Sequence, residues 1–317
     1  MSKNIQIKLL KIEYSGDSIG DDICIEVEHP GGLWSLDKKI KNKSDATIEK
    51  IVYQFIATQN IQGLPLNVKV IEKDLVFNDV GSIKVDLAID LDDFKPQVSS
   101  HEIMVKELRG VTPGSKKAIF TLTLEVLVSE NICYIPITED GWFGYYNSNK
   151  VKTSLPSYLK LHFDKTESNK EYFTVMEGVL QGMQFWSSAG REELSFINKN
   201  PQTDPINLIY SISTKTLKLN DKKYLTTDSP NVPWEKGVYD IEIPDYPHGG
   251  GLRYSKSKYA TVWFRIGHNG DRYLHTGAHS LGCMTLTEVE KWDEIFKILI
   301  KARKGDNKSV GTIQIVD

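Results

Sequence analysis

The sequence predicts a mainly β protein, with an N-terminal antiparallel β-sandwich followed by a β-rich domain that carries one packing helix. Three observations support this prediction. Short apolar runs of period two recur through residues 3–130, similar runs return after residue 205, and one amphipathic helical stretch lies near the C-terminus. The chain has 317 residues, more than one hydrophobic core usually serves, so we expect at least two domains.

The first domain is predicted from strand-like runs in residues 1–130, which turn sequences such as HPGG and TPGS separate. These runs are IQIKLLKIEY, DICIEVEH, IVYQFIA, LNVKVIEK, IKVDLAIDL, HEIMVKEL and AIFTLTLEVLV. Strands of this length and spacing, about seven or eight in all, are typical of a β-sandwich.

A less regular middle segment occupies residues 131–205. Within it, VMEGVLQGMQFW has the pattern of an amphipathic helix, and SAGREELSFINKN predicts a second helix with a polar exit. The NKNPQTDP run has the composition of a linker or loop, which places the main boundary near Pro205. The middle segment could belong to either neighbouring domain.

The third segment, residues 206–317, is predicted as a β-rich domain with a single helix. Its strand-like runs are INLIYSIS, TLKLN, KKYLTTD, GVYDIEI, YATVWFRI, RYLHT and TIQIVD. In LTEVEKWDEIFKILIKARK, Thr287 and Glu290 have the spacing of a capping box, which predicts the start of the helix. An apolar stripe on one face of this helix predicts how it packs: Val289, Trp292, Ile295, Phe296 and Leu299.

Composition excludes several functional classes. A net charge of −3 and a pI near 6.2 give no electrostatic case for nucleic acid. No apolar run is long enough for a membrane span or a signal peptide, so we expect a soluble chain without a Sec-type leader. The cysteines, Cys24, Cys133 and Cys283, form no C-x-x-C pair, so neither a disulfide framework nor a zinc site is expected. We predict a catalytic part without metal or cofactor.

The chemistry is predicted to lie in YLHTGAHSLGCMTL, residues 273–286, between a strand and a helix. A cysteine becomes a strong nucleophile when a nearby imidazole or helix N-terminus lowers its pKa, and Cys283 has His275 and the predicted helix as candidates. Gly282 allows a sharp turn whose N–H groups, at residues 282 and 283, could stabilise an oxyanion. We interpret Ser280 as a hydrogen-bonding support of this turn.

This motif resembles the active site of L,D-transpeptidases with a YkuD-type catalytic domain. Ser280, Gly282 and Cys283 match the family's cysteine motif, and His275 with Thr276 matches its upstream pair. The run INLIYSISTKTLKLNDKKYLTTD is similar to the family's opening hairpin, and residues 231–239 are similar to its Pro-x-Gly-x-Tyr element. The similarity covers about residues 206–305.

The sequence also departs from this family. Only eight positions separate His275 from Cys283, where the family has about twice that, so the acceptor-side loop is shortened. Leu281 and Thr285 replace a histidine and an arginine of the family motif. On the substrate side we name Thr276, His279 and His248, with Arg253, Arg265 and Arg272 as candidate replacements for the missing cation.

The resemblance implies a cysteine-dependent acyltransferase that acts on peptidoglycan stem peptides through a Cys283 thioester. Transpeptidation, D-amino-acid exchange and L,D-carboxypeptidase activity all remain open. The implied place of action is the periplasm or cell wall, reached by a dedicated export or injection machine. The alternative is a catalytically degenerate module that binds the wall or has a structural role.

Residues 3–130 resemble a calcium- and lipid-binding sandwich of the C2 type. The resemblance rests on two acidic loops, one after the first strand and one within VIEKDLVFNDVGS. The acidic residues are Asp17, Asp21 and Asp22 in the first loop and Glu72, Asp74 and Asp79 in the second. The resemblance implies that these carboxylates bind Ca²⁺ at one end of the sandwich. The competing interpretation is that they are ordinary turn formers in a plain sandwich.

Overall fold

The computed structural model describes residues 2–74, 78–107, 116–147, 151–188 and 196–317. The protein is mainly β, as predicted, and divides into two compact units, Met1–Asn131 and Ile132–Asp317. Each unit is built around a hydrophobic core of its own.

The N-terminal unit is the predicted antiparallel β-sandwich. Its strands are β1 (Lys3–Gly16), β2 (Asp22–His29), β3 (Gly32–Lys39), β4 (Ser44–Ala57), β5 (Ile61–Glu72), β6 (Asp79–Ile89), β7 (Gln97–Lys106) and β8 (Lys117–Glu130). They form two four-stranded sheets, ordered β4-β1-β8-β7 and β3-β2-β5-β6. Alternating side chains of β1 and β8 are buried, so the period-two pattern gives the sandwich its core.

The sequence missed one strand of this unit, β3. Its side chains are mostly exposed, so it lacks the buried alternating face that identified the other strands. The last residue of HEIMVKEL and the TPGS turn lie outside the described residues.

The second unit contains two sheets. Residues 132–188 supply β9 (Ile132–Tyr134), β10 (Trp142–Asn147), β11 (Lys152–Pro156), β12 (Lys160–Glu167), β13 (Lys170–Val175) and β14 (Gln184–Ser188), in the order β11-β10-β14-β13-β12-β9. Residues 206–316 supply β15 (Ile206–Ser211), β16 (Thr216–Leu219), β17 (Lys222–Thr227), β18 (Gly237–Glu242), β19 (Phe264–Arg265), β20 (Tyr273–Thr276), β21 (Met284–Leu286) and β22 (Ser309–Val316). Their order is β18-β22-β15-β16-β17-β21-β20-β19, and a bridge between Ile241 and Ile266 joins its two ends, so this sheet nearly closes.

The helix predicted over VMEGVLQGMQFW is wrong. That run ends β13, turns, and enters β14, because Gly178 and Gly182 adopt positive φ angles of 76° and 86° that interrupt a helix. The helix predicted over SAGREELSFINKN falls largely on residues 189–195, outside the described residues. The predicted strand YATVWFRI is confirmed only for Phe264–Arg265, because the residues before it form turns.

Residues 132–188 share one hydrophobic core with residues 206–317. A buried ion pair joins the two stretches: Arg303 donates to the Glu177 carboxylate at 2.8–2.9 Å. The same carboxylate accepts from the Gln202 side chain and the Lys160 backbone N–H. The middle segment is therefore fixed to the part of the chain that carries the cysteine motif.

The predicted packing helix is confirmed as α1 (Trp292–Leu299), whose Trp292, Ile295, Phe296 and Leu299 are buried. The predicted capping box is wrong. The Thr287 hydroxyl instead donates to the Leu225 carbonyl, and a short 3₁₀ turn (Val289–Lys291) precedes the helix. Among the described residues, no helix has the length and apolar content needed to cross a membrane.

Replacing Arg303 by methionine should strongly destabilise the second unit, because it leaves the Glu177 carboxylate buried without its cation. Breaking one partner of a buried pair typically costs about 3–5 kcal/mol of unfolding free energy. Tryptophan fluorescence in urea measures this, since five of the six tryptophans (Trp142, Trp186, Trp234, Trp263 and Trp292) lie in this unit. As a control, Lys236→Met removes an exposed pair with Asp317 and should change little. An Arg303→Met transition that matches this control would contradict the account.

Candidate active site

Cys283 ends a short return between two parallel strands. β20 ends at Thr276, the chain turns back over residues 277–283, and β21 then pairs with β20 so that Leu274 faces Met284. Parallel neighbours usually need a crossover of a dozen or more residues. Here the strands have only 4 and 3 residues, so a short return is sufficient. The turn therefore brings Cys283 back beside the start of β20.

The Cys283 thiol contacts the backbone that leads into β20. Its S–H faces the Asp271 carbonyl at 3.8 Å. Burial raises the thiol's pKa above its ordinary 9.0, while the Tyr273 N–H and the Arg272 guanidinium act in the opposite direction. The sequence expectation of a lowered pKa is therefore wrong. The helix expected soon after the cysteine is also misplaced, because β21 follows directly and α1 begins only at Trp292.

His275 is buried, with both ring nitrogens hydrogen-bonded. Nδ1 lies 2.8 Å from the Thr276 carbonyl, which can only accept, so Nδ1 carries the proton and Nε2 is the basic nitrogen. The Thr285 hydroxyl lies 3.2 Å from Nε2 and is its donor. Burial lowers the pKa of His275 to about 4, so the imidazole is neutral at neutral pH.

The nucleophile and base candidates therefore lie on adjoining strands. His275 faces Thr285 in the parallel register, and Cys283 precedes Thr285 by two residues. Ordinary strand spacing and rise give a diagonal separation of about 8 Å between the Cα atoms of His275 and Cys283. In this structure the thiol and the imidazole each bond to other groups, so the predicted contact would require one of them to exchange partners.

Ser280 braces the turn, as we interpreted from the sequence. Its hydroxyl donates to the Cys283 carbonyl at 2.6 Å and accepts from the Gly282 N–H at 3.1 Å. Gly282 has a φ of +136°, which favours glycine. Since the Gly282 N–H already has an acceptor, its predicted oxyanion role would require this bond to break.

Arg272, which precedes β20, also holds this turn by hydrogen bonds. Its guanidinium donates to the carbonyls of Gly282, Pro233 and Val232 at 2.8–3.2 Å. The guanidinium also lies over the Trp234 ring, 3.3 Å from the ring centroid. Each of its three nitrogens is engaged, so Arg272 holds the cysteine turn here instead of presenting a free cation to a substrate carboxylate.

The predicted substrate-side residues occupy different surroundings. Thr276 is fully buried and its hydroxyl donates to the Leu286 carbonyl, whereas His279 is exposed. His248 is buried, with Nε2 3.1 Å from an Asp245 carboxylate oxygen. Arg265 donates to the other oxygen of Asp245 at 2.7 Å. Leu281, at the position of the family histidine, is 97% exposed beside the cysteine.

Sequence reasoning missed two contributors to the site, Trp263 and Asp245. The Trp263 indole stacks on the His275 ring with centroids 4.0 Å apart. Asp245 collects donors from His248, Arg265, Tyr273 and the Tyr246 backbone. Both residues lie outside the cysteine motif. The β19–β20 pairing, in which Phe264 faces Leu274, places Trp263 opposite His275, and Asp245 follows β18, the strand that the Ile241–Ile266 bridge joins to the β19 end.

The N-terminal unit contains a second chemically distinct group, in the second of the two acidic loops, and Asp17, Asp21 and Asp22 of the first loop are not part of it. One carboxylate oxygen of each of Glu72, Asp74 and Asp79 lies within 4.8 Å of the others. Glu72 and Asp79 are each 3% exposed, and one Glu72 oxygen, Oε2, is buried without a hydrogen-bond partner. Burial, followed by the nearby acidic groups, raises the pKa of Glu72 to about 7. Such hard oxygen donors fit Ca²⁺.

Comparisons with known proteins give little further information. No family model matches the chain, and no curated protein matches it. One solved structure described as a C2 domain is similar at 14% identity, with 40% of this chain and 98% of that chain covered and a TM-score of 0.25. A likeness of this size does not support a functional assignment.

Alkylation by iodoacetamide should show that Cys283 is a resting thiol whose ionisation depends on Arg272. We expect its rate to keep rising above pH 9, and Arg272→Met to move the midpoint to still higher pH because a nearby cation is lost. Peptide mapping separates Cys283 from Cys24 and Cys133, whose burial raises their pKa values to about 11 and about 12. A midpoint below pH 7, or one that Arg272→Met leaves unchanged, would contradict this description.

Proposed function

We propose that the Ile132–Asp317 unit is a cysteine acyltransferase that acts on peptidoglycan stem peptides. The observation that carries the proposal is the return of Cys283 beside β20, the strand that holds His275. This histidine is buried and neutral, and its basic nitrogen faces Thr285 on β21, the strand that Cys283 precedes. The substrate class rests on the resemblance of residues 273–286 to the L,D-transpeptidase motif.

In the proposed reaction, the Cys283 thiol attacks the carbonyl of an L-residue–D-alanine bond. The Thr285 hydroxyl breaks its hydrogen bond to Nε2 of His275, and the thiol proton passes to that nitrogen. The sulfur forms a bond to the carbonyl carbon, which gives a tetrahedral intermediate. The C–N bond then breaks, His275 returns the proton to the leaving D-alanine amine, and a Cys283 thioester remains. An amine acceptor or water attacks the thioester, and its proton returns through His275 to the sulfur.

The neutral state of both groups fits this order of events. A buried imidazole that is neutral at pH 7 has its Nε2 lone pair free of a proton and can accept one from the thiol. Its pKa of about 4 makes that transfer uphill from a thiol of raised pKa. Substrate that displaces water from this site would strengthen the interaction between the thiolate and the imidazolium as they form. The proposed place of action is the bacterial cell wall, with delivery by an export or injection machine.

Incubation with disaccharide tetrapeptides, with and without a D-amino acid, tests the activity. We expect loss of D-alanine, or its exchange, in mass spectra for the wild type and a decrease of at least about 1000-fold for Cys283→Ala, as for other catalytic nucleophiles. The matched control is Cys133→Ala, which removes a buried thiol of the same unit far along the sequence from the motif.

Two results would contradict the proposal: no product from folded wild type, or product that persists in Cys283→Ala. Water as acceptor gives a tripeptide, whereas a D-amino acid acceptor gives an exchanged tetrapeptide, so the same spectra distinguish the possible outcomes.

A second candidate function is a degenerate module that binds the wall without turnover. Two observations favour it: the Thr285 hydroxyl occupies the basic nitrogen of His275, and burial raises the thiol pKa. Sedimentation with insoluble peptidoglycan, unchanged by Cys283→Ala and unaccompanied by product, would support this candidate over the enzyme.

For the N-terminal unit we propose that Glu72, Asp74 and Asp79 bind Ca²⁺. The unpartnered, buried Glu72 oxygen supports this, because a buried carboxylate oxygen without a partner is costly unless a cation or donor compensates it. The backbone of the neighbouring loop also lies close to this carboxylate, since a Cβ added at Gly20 would be 1.8 Å from the other Glu72 oxygen.

Calcium should raise the unfolding temperature of the N-terminal unit in wild type and have no effect in Glu72→Gln.

Without calcium, the raised Glu72 pKa means that this residue's contribution to stability is present below about pH 4.5 and is lost as pH rises through about 7. Scanning calorimetry in EDTA should therefore show wild type losing stability relative to Glu72→Gln across that range. An Asp92→Asn control, in an exposed turn, should keep the calcium response. Equal calcium responses in wild type and Glu72→Gln would refute the site.

A further inference from the structure

Four aromatic rings form a column that ends at His275. Tyr246 stacks on His248 with centroids 4.3 Å apart, His248 on Trp263 at 4.3 Å, and Trp263 on His275 at 4.0 Å. The His248 and Trp263 planes differ by 4°, and those of Trp263 and His275 by 14°. The indole is thus a flat spacer between two imidazole rings.

The far imidazole is fixed by a fully bonded carboxylate. One Asp245 oxygen accepts from His248 Nε2 at 3.1 Å and from the Tyr246 N–H at 2.8 Å. The other accepts from Arg265 at 2.7 Å and from the Tyr273 hydroxyl at 3.1 Å. Burial acts to raise the pKa of Asp245, but the hydrogen bonds from His248 and Tyr246 and the charge of Arg265 hold it below its ordinary value. Asp245 is therefore an anion whose hydrogen bond fixes the orientation of the His248 ring.

The spacer is itself held in place. The Trp263 indole N–H donates to the Ala260 carbonyl at 2.9 Å, and a Cβ added at Gly250 would be 3.2 Å from the indole ring. The backbone N–H of His248 donates to the Thr261 carbonyl at 2.9 Å, which ties the loop of His248 to the segment of Trp263. These hydrogen bonds hold the rings in their order.

We propose that His248, held by Asp245, is a positioning residue that fixes and tunes His275 through the intervening Trp263 indole. This inference rests on the proposed function, in which His275 is the base. Stacking holds the imidazole so that Nδ1 meets the Thr276 carbonyl and Nε2 faces β21. Burial lowers the pKa of His275, and the electrostatic influence of His248 acts in the same direction, so both help to keep the base free of its proton.

Each element around His275 carries charged or titratable groups, and His248 is one of them. They are Asp245 and His248 before the 3₁₀ turn Gly249–Arg253, Arg265 on β19, Tyr273 on its own strand, Arg272 before that strand, and Cys283 before β21. Arg265 is neutralised by Asp245 and Glu242. His248 is the group that the column places in line with the His275 ring.

The test is an NMR titration of His275 in wild type, His248→Phe and His248→Gln. Phenylalanine keeps the stacked ring and removes the charge, and glutamine removes both. We expect the His275 midpoint to rise in both variants by about 1 to 1.5 pH units, the size expected for unit charges about 8 Å apart at an effective dielectric of about 20. The ring-current shift that Trp263 induces on His275 should persist in His248→Phe and decrease in His248→Gln. The control, His268→Gln, changes another carboxylate-bound histidine, outside the column, and should leave the midpoint unchanged.

The activity profile gives a second measurement. A raised His275 pKa moves the acid limb of kcat/KM to higher pH, so His248→Phe should lose activity at pH 5 relative to pH 7 while wild type does not.

Folded variants with an unchanged His275 midpoint would overturn the inference and leave His248 as packing only. If neither variant folds, the wild-type His275 signal must still show an inflection at the midpoint measured for the His248 signal in the same spectra, and its absence overturns the inference. If the wild type is inactive but the His275 midpoint shifts as expected, the proposed function is refuted and the link between His248 and His275 stands.

Discussion

The parallel pairing of β20 with β21 is the constraint on which the candidate site depends. Strands of 4 and 3 residues allow residues 277–283 to return the chain and pair it in parallel. That return puts Cys283 beside the start of β20 and places Thr285 opposite His275. Ser280 within the turn and Arg272 outside it then hold the turn by hydrogen bonds to its backbone. Without this pairing, the cysteine and the histidine would have no fixed relation.

The electrostatics of the site follow from burial. Burial raises the pKa of the thiol and lowers that of the imidazole, so both groups rest in their neutral forms. Such a pair differs from the cysteine of lowered pKa that the motif alone suggested. A neutral pair resists oxidation and metal capture, since the thiolate is the reactive form, and it makes activation dependent on what binds beside it.

The sequence predicted those features that depend on local patterns. Alternation identified most sandwich strands and most of the 206–316 strands, although it missed β21, and the apolar stripe identified the face of α1. It failed where tertiary contacts decide: two glycines turned VMEGVLQGMQFW into a strand–turn–strand, and Thr287 bonds to Leu225 instead of capping. The motif located the cysteine turn. It could not show that the Thr285 hydroxyl bonds to the His275 ring or that Trp263 stacks on that ring, because these contacts depend on how β20 pairs with β21 and with β19.

The central claim is that Cys283 takes up the acyl group with His275 as its base. Rapid quenching of wild type with a stem tetrapeptide, followed by intact-mass and peptide mass spectrometry, tests it most directly. The account predicts an added tripeptide acyl mass on the peptide that contains Cys283, released by hydroxylamine as a thioester, and its absence in His275→Ala. Turnover without any such adduct, or an adduct on another residue, would contradict the account.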